Sequence, residues 1–200
     1  MARLLIVFVI IIAPVKSVLA DDLVIYLHNA WYEKYKDGQP HPKFGVYELS
    51  AIHSELGRDF DFIAPSRESK ADPAKAALLL VETIRKEIAS GRVASEIKVI
   101  GASKGAYIAM LASEELQDPE IRWVLIGGCN PKRLIPGSVK LTGRVLSIYE
   151  SSDTVAGSCP KGTDLTSQTQ SFEEVRTDIG KSHGFLFSPD PAWVQPARAW

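Results

Sequence analysis

The 200-residue sequence has few cysteines and no strongly basic segment. Its only cysteines are Cys129 and Cys159, so at most one disulfide can form within the chain. It has no run of basic residues and no alternation of basic with aromatic side chains, which argues against nucleic acid as a partner. Metal-ligand clusters, phosphate-binding glycine loops and dinucleotide-binding motifs are also absent from the sequence. We therefore expect any catalysis to need neither a metal nor another cofactor.

The overall composition is that of an ordinary globular protein. Hydrophobic residues make up 46% of the chain, charged residues make up 24%, and the formal net charge is −1. These proportions exclude a disordered or fibrous protein, and the length suits one domain. The sequence contains no internal repeat and no low-complexity tract. It gives no indication of the oligomeric state.

Long apolar runs are missing except at the N-terminus. There Leu4–Ala13 is unbroken and apolar, Pro14 ends the run, and small residues lead up to Ala20. This pattern predicts a signal peptide over residues 1–20, cleaved after Ala20, followed by one domain over residues 21–200. The run is short for a membrane span. We therefore expect a secreted or periplasmic protein without stable membrane insertion; an uncleaved anchor is the alternative.

The remaining chain alternates apolar strands with helical segments. The predicted strands are Asp22–Leu27, Asp61–Ala64, the segment from Ile97 into Ser103, Ile121–Gly127 and Arg144–Tyr149, with Phe172–Thr177 as a sixth candidate. The predicted helices run from near Lys43 to Leu56, from Pro73 behind the capping residue Asp72 to Gly91, and from Ser103 to about Leu116. This alternation predicts an α/β fold with a mostly parallel sheet flanked by helices on both faces. Functional side chains are then expected at the carboxyl ends of the strands.

The third strand ends in the sequence Gly101-Ala102-Ser103-Lys104-Gly105, and a helix follows at once. A serine hydroxyl is a poor nucleophile unless it is presented clear of the backbone to a base. A sharp strand-to-helix turn presents it in this way, and the flanking glycines let neighbouring backbone pass close by. Ser103 is therefore a candidate nucleophile, although a glycine-rich turn without function is the alternative for the motif on its own.

Two later strand ends supply the partners that a nucleophilic serine needs. Asp153 follows the fifth strand, and His183 follows the sixth candidate strand. An imidazole takes the serine proton, and a carboxylate orients the imidazole. Glu150 is the second choice for the acid. Asp164 and Asp178 are weaker competitors.

The ordered set Ser103, Asp153 and His183 resembles the α/β-hydrolase family, which places a nucleophile elbow, an acid and a histidine in this order. The resemblance implies a serine hydrolase, a carboxylesterase acting on a small-molecule ester through an acyl-enzyme, and the N-terminal pattern implies that it is exported. In that family the loop after the first strand gives one oxyanion-hole donor. The matching segment here is His28-Asn29-Ala30, in which Asn29 replaces the usual glycine. The expected donors are the backbone N–H groups of Ala30 and Lys104.

The resemblance also suggests candidates around the nucleophile. His28, Asn29, Trp31 and Tyr107 are the candidates for substrate binding. The Lys104 side chain either favours an anionic substrate or transition state, or it points to solvent.

The family's strand order places Cys129 near the Asp153 loop, which favours a Cys129–Cys159 disulfide that braces this loop. Two separate buried thiols are the alternative. Only about fifteen residues separate Cys129 from Arg144, so no cap domain is expected there and the site is expected to be open. Thioesterase and acyltransferase activity remain alternatives within the family. A binding protein that has lost turnover, or a membrane-anchored scaffold, would be alternatives outside enzyme chemistry.

Overall fold

The computed structural model describes residues 22–36, 38–132, 139–160 and 163–200. The predicted signal peptide lies outside these residues and stays a prediction. Within the described ranges, no helix combines the length and the apolar character that a membrane crossing requires.

The described chain alternates strands with helices, as predicted. The strands are β1 (Leu23–Leu27), β2 (Asp61–Ile63), β3 (Ile97–Ala102), β4 (Arg122–Ile126), β5 (Thr142–Glu150) and β6 (Gln168–Thr177). The α-helices are α1 (Ala30–Tyr35), α2 (Leu49–Leu56), α3 (Pro73–Ala89), α4 (Lys104–Leu116) and α5 (Pro191–Ala199). Short 3₁₀ turns cover Ala94–Glu96, Asp164–Thr166 and Ser182–Phe187. Each predicted strand is present, and the sixth begins earlier than predicted.

The six strands form one sheet in the order β2-β1-β3-β4-β5-β6, and every neighbouring pair is parallel. This confirms the predicted parallel sheet. From β1, the second strand in the sheet, the chain first moves outward to the edge strand β2 and then crosses to β3 on the other side of β1. Such a reversal leaves a crevice at the carboxyl ends of the two strands beside it, here β1 and β3.

Both faces of the sheet are covered at its inner strands, which explains why β1, β3 and β4 are largely apolar and buried. In β1, Leu23, Ile25 and Leu27 belong to the core cluster that also contains the buried side chains of α3 and α4. Val24 and Tyr26 point the other way, into the cluster built with α2 and α5. All five side chains are at most 2% exposed. Alternate residues of one strand thus fill two separate apolar layers.

The predicted start of the first long helix near Lys43 is wrong, because residues 41–45 form a closed turn. His41 and Gly45 exchange backbone hydrogen bonds at 2.8 and 3.0 Å, and Gly45 has a φ of +80°. The Nδ1 atom of His41 also accepts the N–H groups of Lys43 and Phe44. These bonds occupy the backbone groups that a helix would use, so α2 begins only at Leu49.

Two helices, α1 and α5, were not predicted. The six residues of α1 are too few to show a helical period, although Asn29 caps it by accepting the Tyr32 N–H at 3.0 Å. Helix α5 begins with a capping Asp190 followed by Pro191. The same pair of signals marked α3, so the sequence did contain the information for α5.

Candidate active site

Ser103 occupies the turn between β3 and α4 with an unusual backbone. Its φ is 53° and its ψ is −111°, a conformation that few residues other than glycine adopt. Its N–H donates to the carbonyl of Ile126 at 2.8 Å, which anchors the turn to β4. Strained backbone of this kind persists only where the surroundings hold it, and it is typical of functional positions.

The two glycines that flank Ser103 are required by close backbone contacts. A Cβ atom on Gly101 would lie 2.5 Å from the carbonyl oxygen of Gly105. A Cβ atom on Gly105 would lie 2.1 Å from the carbonyl oxygen of Leu27, at the end of β1. The start of α4 therefore passes directly against the end of β1, and only glycine permits this approach.

Ser103, His183 and Asp153 lie in a continuous hydrogen-bonded series. His183 Nε2 is 2.9 Å from Ser103 Oγ, and His183 Nδ1 is 2.6 Å from Asp153 Oδ2. The Asp153 side chain is fully buried, and the His183 side chain is 11% exposed. The geometry lets the serine O–H donate to Nε2 while the Nδ1–H donates to the carboxylate, which are the contacts that a serine nucleophile needs.

The other oxygen of Asp153 orients its carboxylate. Asp153 Oδ1 accepts the backbone N–H of Val155 at 2.7 Å and that of Ala156 at 3.3 Å. One oxygen is thus held by its own loop, and the other remains free for His183.

Glu150, the second choice for the acid, points elsewhere. Burial raises its pKa, but hydrogen bonds from the N–H of Ile179, from Thr177 Oγ1, from Ser152 Oγ and from the N–H of Gly180 outweigh this and lower the pKa to about 2. Ser152 lies in the loop that carries Asp153, Ile179 and Gly180 lie in the loop that carries His183, and Thr177 ends β6. Glu150 therefore joins the two loops.

The two cysteines form a disulfide that lies behind the acid loop. Each is 3% exposed, and the carbonyl of Cys129 accepts the N–H of Gly157 at 3.1 Å. The bond connects the segment after β4 with the loop that contains Asp153.

The proposed oxyanion segment follows β1. Asn29 has an extended backbone, with φ −75° and ψ 176°, so it needs no left-handed conformation in place of glycine. Ala30 and Lys104 are the first residues of α1 and α4. The N–H groups at the first positions of a helix have no intrahelical acceptor. Both predicted donors are therefore available, and each helix dipole favours negative charge nearby.

A cavity of about 240 Å³ opens beside Ser103. It is lined by Asn29, Ala30, Trp31, His41, Phe44, Ser103, Val155, His183 and Phe187. Trp31 and Asn29 were predicted to contact substrate, and both line this cavity. His41, Phe44, Val155 and Phe187 were missed, because they come from loops and from the end of a short 3₁₀ turn, and neither carries a periodic signal.

Two predicted substrate contacts, His28 and Tyr107, do not line the cavity. Tyr107 packs against the core on the α3 and α4 side of the sheet. His28 is 3% exposed, and its Nε2 accepts the Arg67 N–H at 3.2 Å. Burial and the neighbouring Arg67 charge lower the pKa of His28 to about 4. His28 is a neutral, buried part of the framework.

The solvent-facing alternative for Lys104 is wrong. Its side chain is 13% exposed, and Nζ lies 2.6 Å from Glu33 Oε2. Glu33 was not singled out in the sequence, since its single charge in a short helix carries no local signal. Within the described part of the chain, no three or more His, Cys, Asp or Glu side chains come together as a metal site would require.

The α/β-hydrolase fold combines a parallel sheet of this strand order with a sharp turn after β3 that presents a serine. In this fold an acid and a histidine follow later strands, as Asp153 and His183 do here. Of the comparisons with known proteins, the one with solved structures supports this fold. No family model and no curated protein matches the chain. Solved structures do match it over most of its length.

Three of these structures illustrate the likeness. A protein of unknown function from Agrobacterium tumefaciens, named as a candidate α/β-hydrolase, is 21% identical with a TM-score of 0.55, over 90% of this chain and 84% of its own. A lidless α/β serine hydrolase from Xanthomonas campestris is 14% identical with a TM-score of 0.52, over 92% and 81%. The esterase domain of a Rhodothermus marinus protein is 13% identical with a TM-score of 0.56, over 92% and 86%. At these identities the likeness establishes the fold: this chain has the α/β-hydrolase fold, and the residues that the structure describes form no cap domain.

Proposed function

We propose that this protein is a serine hydrolase that cleaves small carboxylic esters. The proposal rests on one observation: the side chains of Ser103, His183 and Asp153 are hydrogen-bonded in series. Ser103 Oγ lies 2.9 Å from His183 Nε2, and His183 Nδ1 lies 2.6 Å from Asp153 Oδ2. Ser103 itself occupies a strained turn. The esterase domain and the lidless serine hydrolase among the structural neighbours support this choice.

In the first half of the proposed reaction, Ser103 Oγ attacks the acyl carbon while His183 Nε2 takes the serine proton. Asp153 stabilises the imidazolium through Nδ1–H. The carbonyl oxygen becomes an oxyanion, which accepts hydrogen bonds from the N–H groups of Ala30 and Lys104. The intermediate collapses, the ester C–O bond breaks, and His183 gives its proton to the leaving alcohol. The products are the free alcohol and an acyl-enzyme on Ser103.

In the second half, water attacks the acyl carbon, and His183 now accepts a proton from the water. The second oxyanion uses the same two donors. Its collapse breaks the bond to Ser103 Oγ, which recovers its proton from His183. The carboxylic acid leaves and the enzyme returns to its starting state, so no cofactor is consumed.

The cavity beside Ser103 supports a small, uncharged substrate group. Its walls carry the rings of Trp31, His41, Phe44 and Phe187, and no Lys, Arg, Asp or Glu among the described residues lines it. A dry apolar cavity of about 150 Å³ holds a benzene molecule, so about 240 Å³ accepts a phenyl-sized or short alkyl group. Phenyl acetate and short-chain esters are therefore suitable first substrates.

A fluorophosphonate probe tests the nucleophile. We expect the probe to label the wild-type protein, because an activated serine attacks its phosphorus. Ser103→Ala is expected to abolish labelling, and His183→Ala is expected to reduce it strongly. Ser90→Ala, an exposed serine at the end of α3, serves as the matched control and should label normally.

Each outcome of the labelling has a definite meaning. Labelling that persists in Ser103→Ala would identify another serine as the nucleophile. A folded wild-type protein that is not labelled would contradict the hydrolase proposal and would favour a binding protein on the same fold.

The proposal includes export, with a signal peptide over residues 1–20 and a hydrolase domain over residues 21–200. A disulfide is stable in an oxidising compartment, and the Cys129–Cys159 bond supports this location. We expect the exported protein to begin at Asp21 in an intact-mass measurement and to show no free thiol before reduction. Serine at both cysteine positions should lower the free energy of unfolding by about 3–4 kcal/mol. A full-length product, or two free thiols, would contradict export.

A further inference from the structure

Lys104 follows the proposed nucleophile, yet its side chain takes no part in the cavity. Nζ forms an ion pair with Glu33 Oε2 at 2.6 Å and donates to the carbonyl of Ala71 at 2.6 Å. Glu33 lies in α1, and its side chain is 3% exposed. A charge pair this deeply buried costs desolvation free energy, so its position calls for an explanation.

Glu33 also holds a second cation. Its Oε1 accepts Arg67 Nε at 2.7 Å, and the Arg67 side chain is 7% exposed. Arg67 comes from the loop after β2, and its Nη2 donates to the carbonyl of His28. We call Glu33, Lys104 and Arg67 the ion cluster. It joins α1, the start of α4 and the loop after β2 at one point.

We propose that the ion cluster positions the two oxyanion donors and supplies one uncompensated positive charge beside them; this inference rests on the proposed function. The donors, Ala30 and Lys104, begin two helices that follow different strands. Glu33 lies one helical turn after Ala30, and it is paired with the side chain of Lys104 itself. The ion cluster therefore sets the separation of the two N–H groups.

Arg67 fixes the same segment from its other side. It holds the His28 carbonyl, which comes just before Asn29 and Ala30, and its backbone N–H binds the His28 ring at 3.2 Å. The donor loop is thus tied both before and after Ala30. Donor positions within a few tenths of an ångström decide how well an oxyanion is stabilised.

The net charge of the ion cluster, like its geometry, stabilises the oxyanion. Two cations face one carboxylate, and Arg67 Nη1 has no hydrogen-bond partner among the described residues. The surplus positive charge favours a negatively charged intermediate over a neutral ester. Interactions stronger in the transition state than in the ground state raise kcat and leave KM nearly unchanged.

Lys104→Met tests this role, since methionine keeps an unbranched apolar stem without the charge. We expect kcat for phenyl acetate to fall about 10- to 100-fold with KM changed less than about 2-fold, which is the size expected for a misplaced donor. The rate constant for fluorophosphonate labelling, measured per folded molecule, should fall by a similar factor. A purely structural role would lower the melting temperature and leave this rate constant unchanged.

Arg92→Met is the matched control. Arg92 is a buried cation, 8% exposed, that pairs with Asp61 and Glu87 away from the cavity. We expect this variant to lose stability but to keep the wild-type kcat and labelling rate constant. A fall in kcat as large as that of Lys104→Met would show that loss of any buried cation has the same effect, and would overturn the positioning role.

Arg67→Lys keeps the charge but cannot hold Glu33 and the His28 carbonyl together with one planar group. We expect about a 10-fold lower kcat, and this variant decides the question if Lys104→Met does not fold. If Lys104→Met folds and keeps the wild-type kcat and labelling rate constant, the positioning role alone is overturned. If Lys104→Met does not fold, the same result in Arg67→Lys overturns it. Absence of labelling in the folded wild type would overturn the proposed function as well.

Discussion

Replacing His183 with alanine is expected to lower kcat for a small neutral ester by about 10⁶-fold, since the serine then has no base. Asp153→Asn is expected to lower kcat by about 10⁴-fold, because an amide in place of the carboxylate favours the wrong imidazole tautomer. The KM values should change little. Steady-state kinetics with phenyl acetate, corrected for the fraction of folded enzyme, measures kcat and KM for each variant.

Glu150→Gln is the control that separates the two acids. Glu150 bonds to Thr177 and to the backbone of the His183 loop, while Asp153 bonds to His183 directly. We therefore expect Glu150→Gln to lose stability but to retain a much larger kcat than Asp153→Asn. A larger loss of kcat in a folded Glu150→Gln than in a folded Asp153→Asn would show that the acid was assigned to the wrong carboxylate.

Acid is expected to destabilise the fold in two overlapping ranges of pH. The pKa of His28 is lowered from 6.5 to about 4, so the unfolded chain binds a proton before the folded protein does, and stability is lost as the pH falls from about 6.5 to about 4. The pKa of Glu150 is lowered from 4.5 to about 2. Its contribution to stability is present above pH 4.5 and is lost as the pH falls to about 2.

Urea unfolding at several pH values tests these contributions. The difference in unfolding free energy between the wild type and Glu150→Gln should shrink as the pH is lowered below about 4.5. The difference between the wild type and His28→Gln should shrink between about pH 6.5 and pH 4. Differences that stay constant across these ranges would contradict the role of each group.

The sheet and the three candidate catalytic residues could be predicted from the sequence for one shared reason. Strands buried on both faces are apolar throughout, and parallel strands bring their carboxyl ends to one edge. Ser103 and Asp153 each follow such a strand, and His183 follows β6, the more polar strand at the edge of the same sheet, so their positions at strand ends predicted their proximity. Helix α5 carried the same Asp-Pro signal as α3 and was overlooked.

Most of the cavity wall and the whole ion cluster could not be predicted from the sequence in this way. His41 and Phe44 lie in a turn whose hydrogen bonds replaced the predicted helix start. The charged groups of Glu33, Arg67 and Lys104 are 34 to 71 residues apart in the chain and meet only in the folded protein. No local pattern distinguishes such residues from ordinary surface charges.

The sequence by itself determined the alternation of strands and helices, the turn at Ser103 and the order of the three candidate residues. These features follow from local preferences and from the period of apolar residues, which are readable along the chain. Only the tertiary structure decided which carboxylate meets His183, which rings line the cavity and where the Lys104 charge lies. Those outcomes depend on distances between loops, and close packing of distant segments sets these distances.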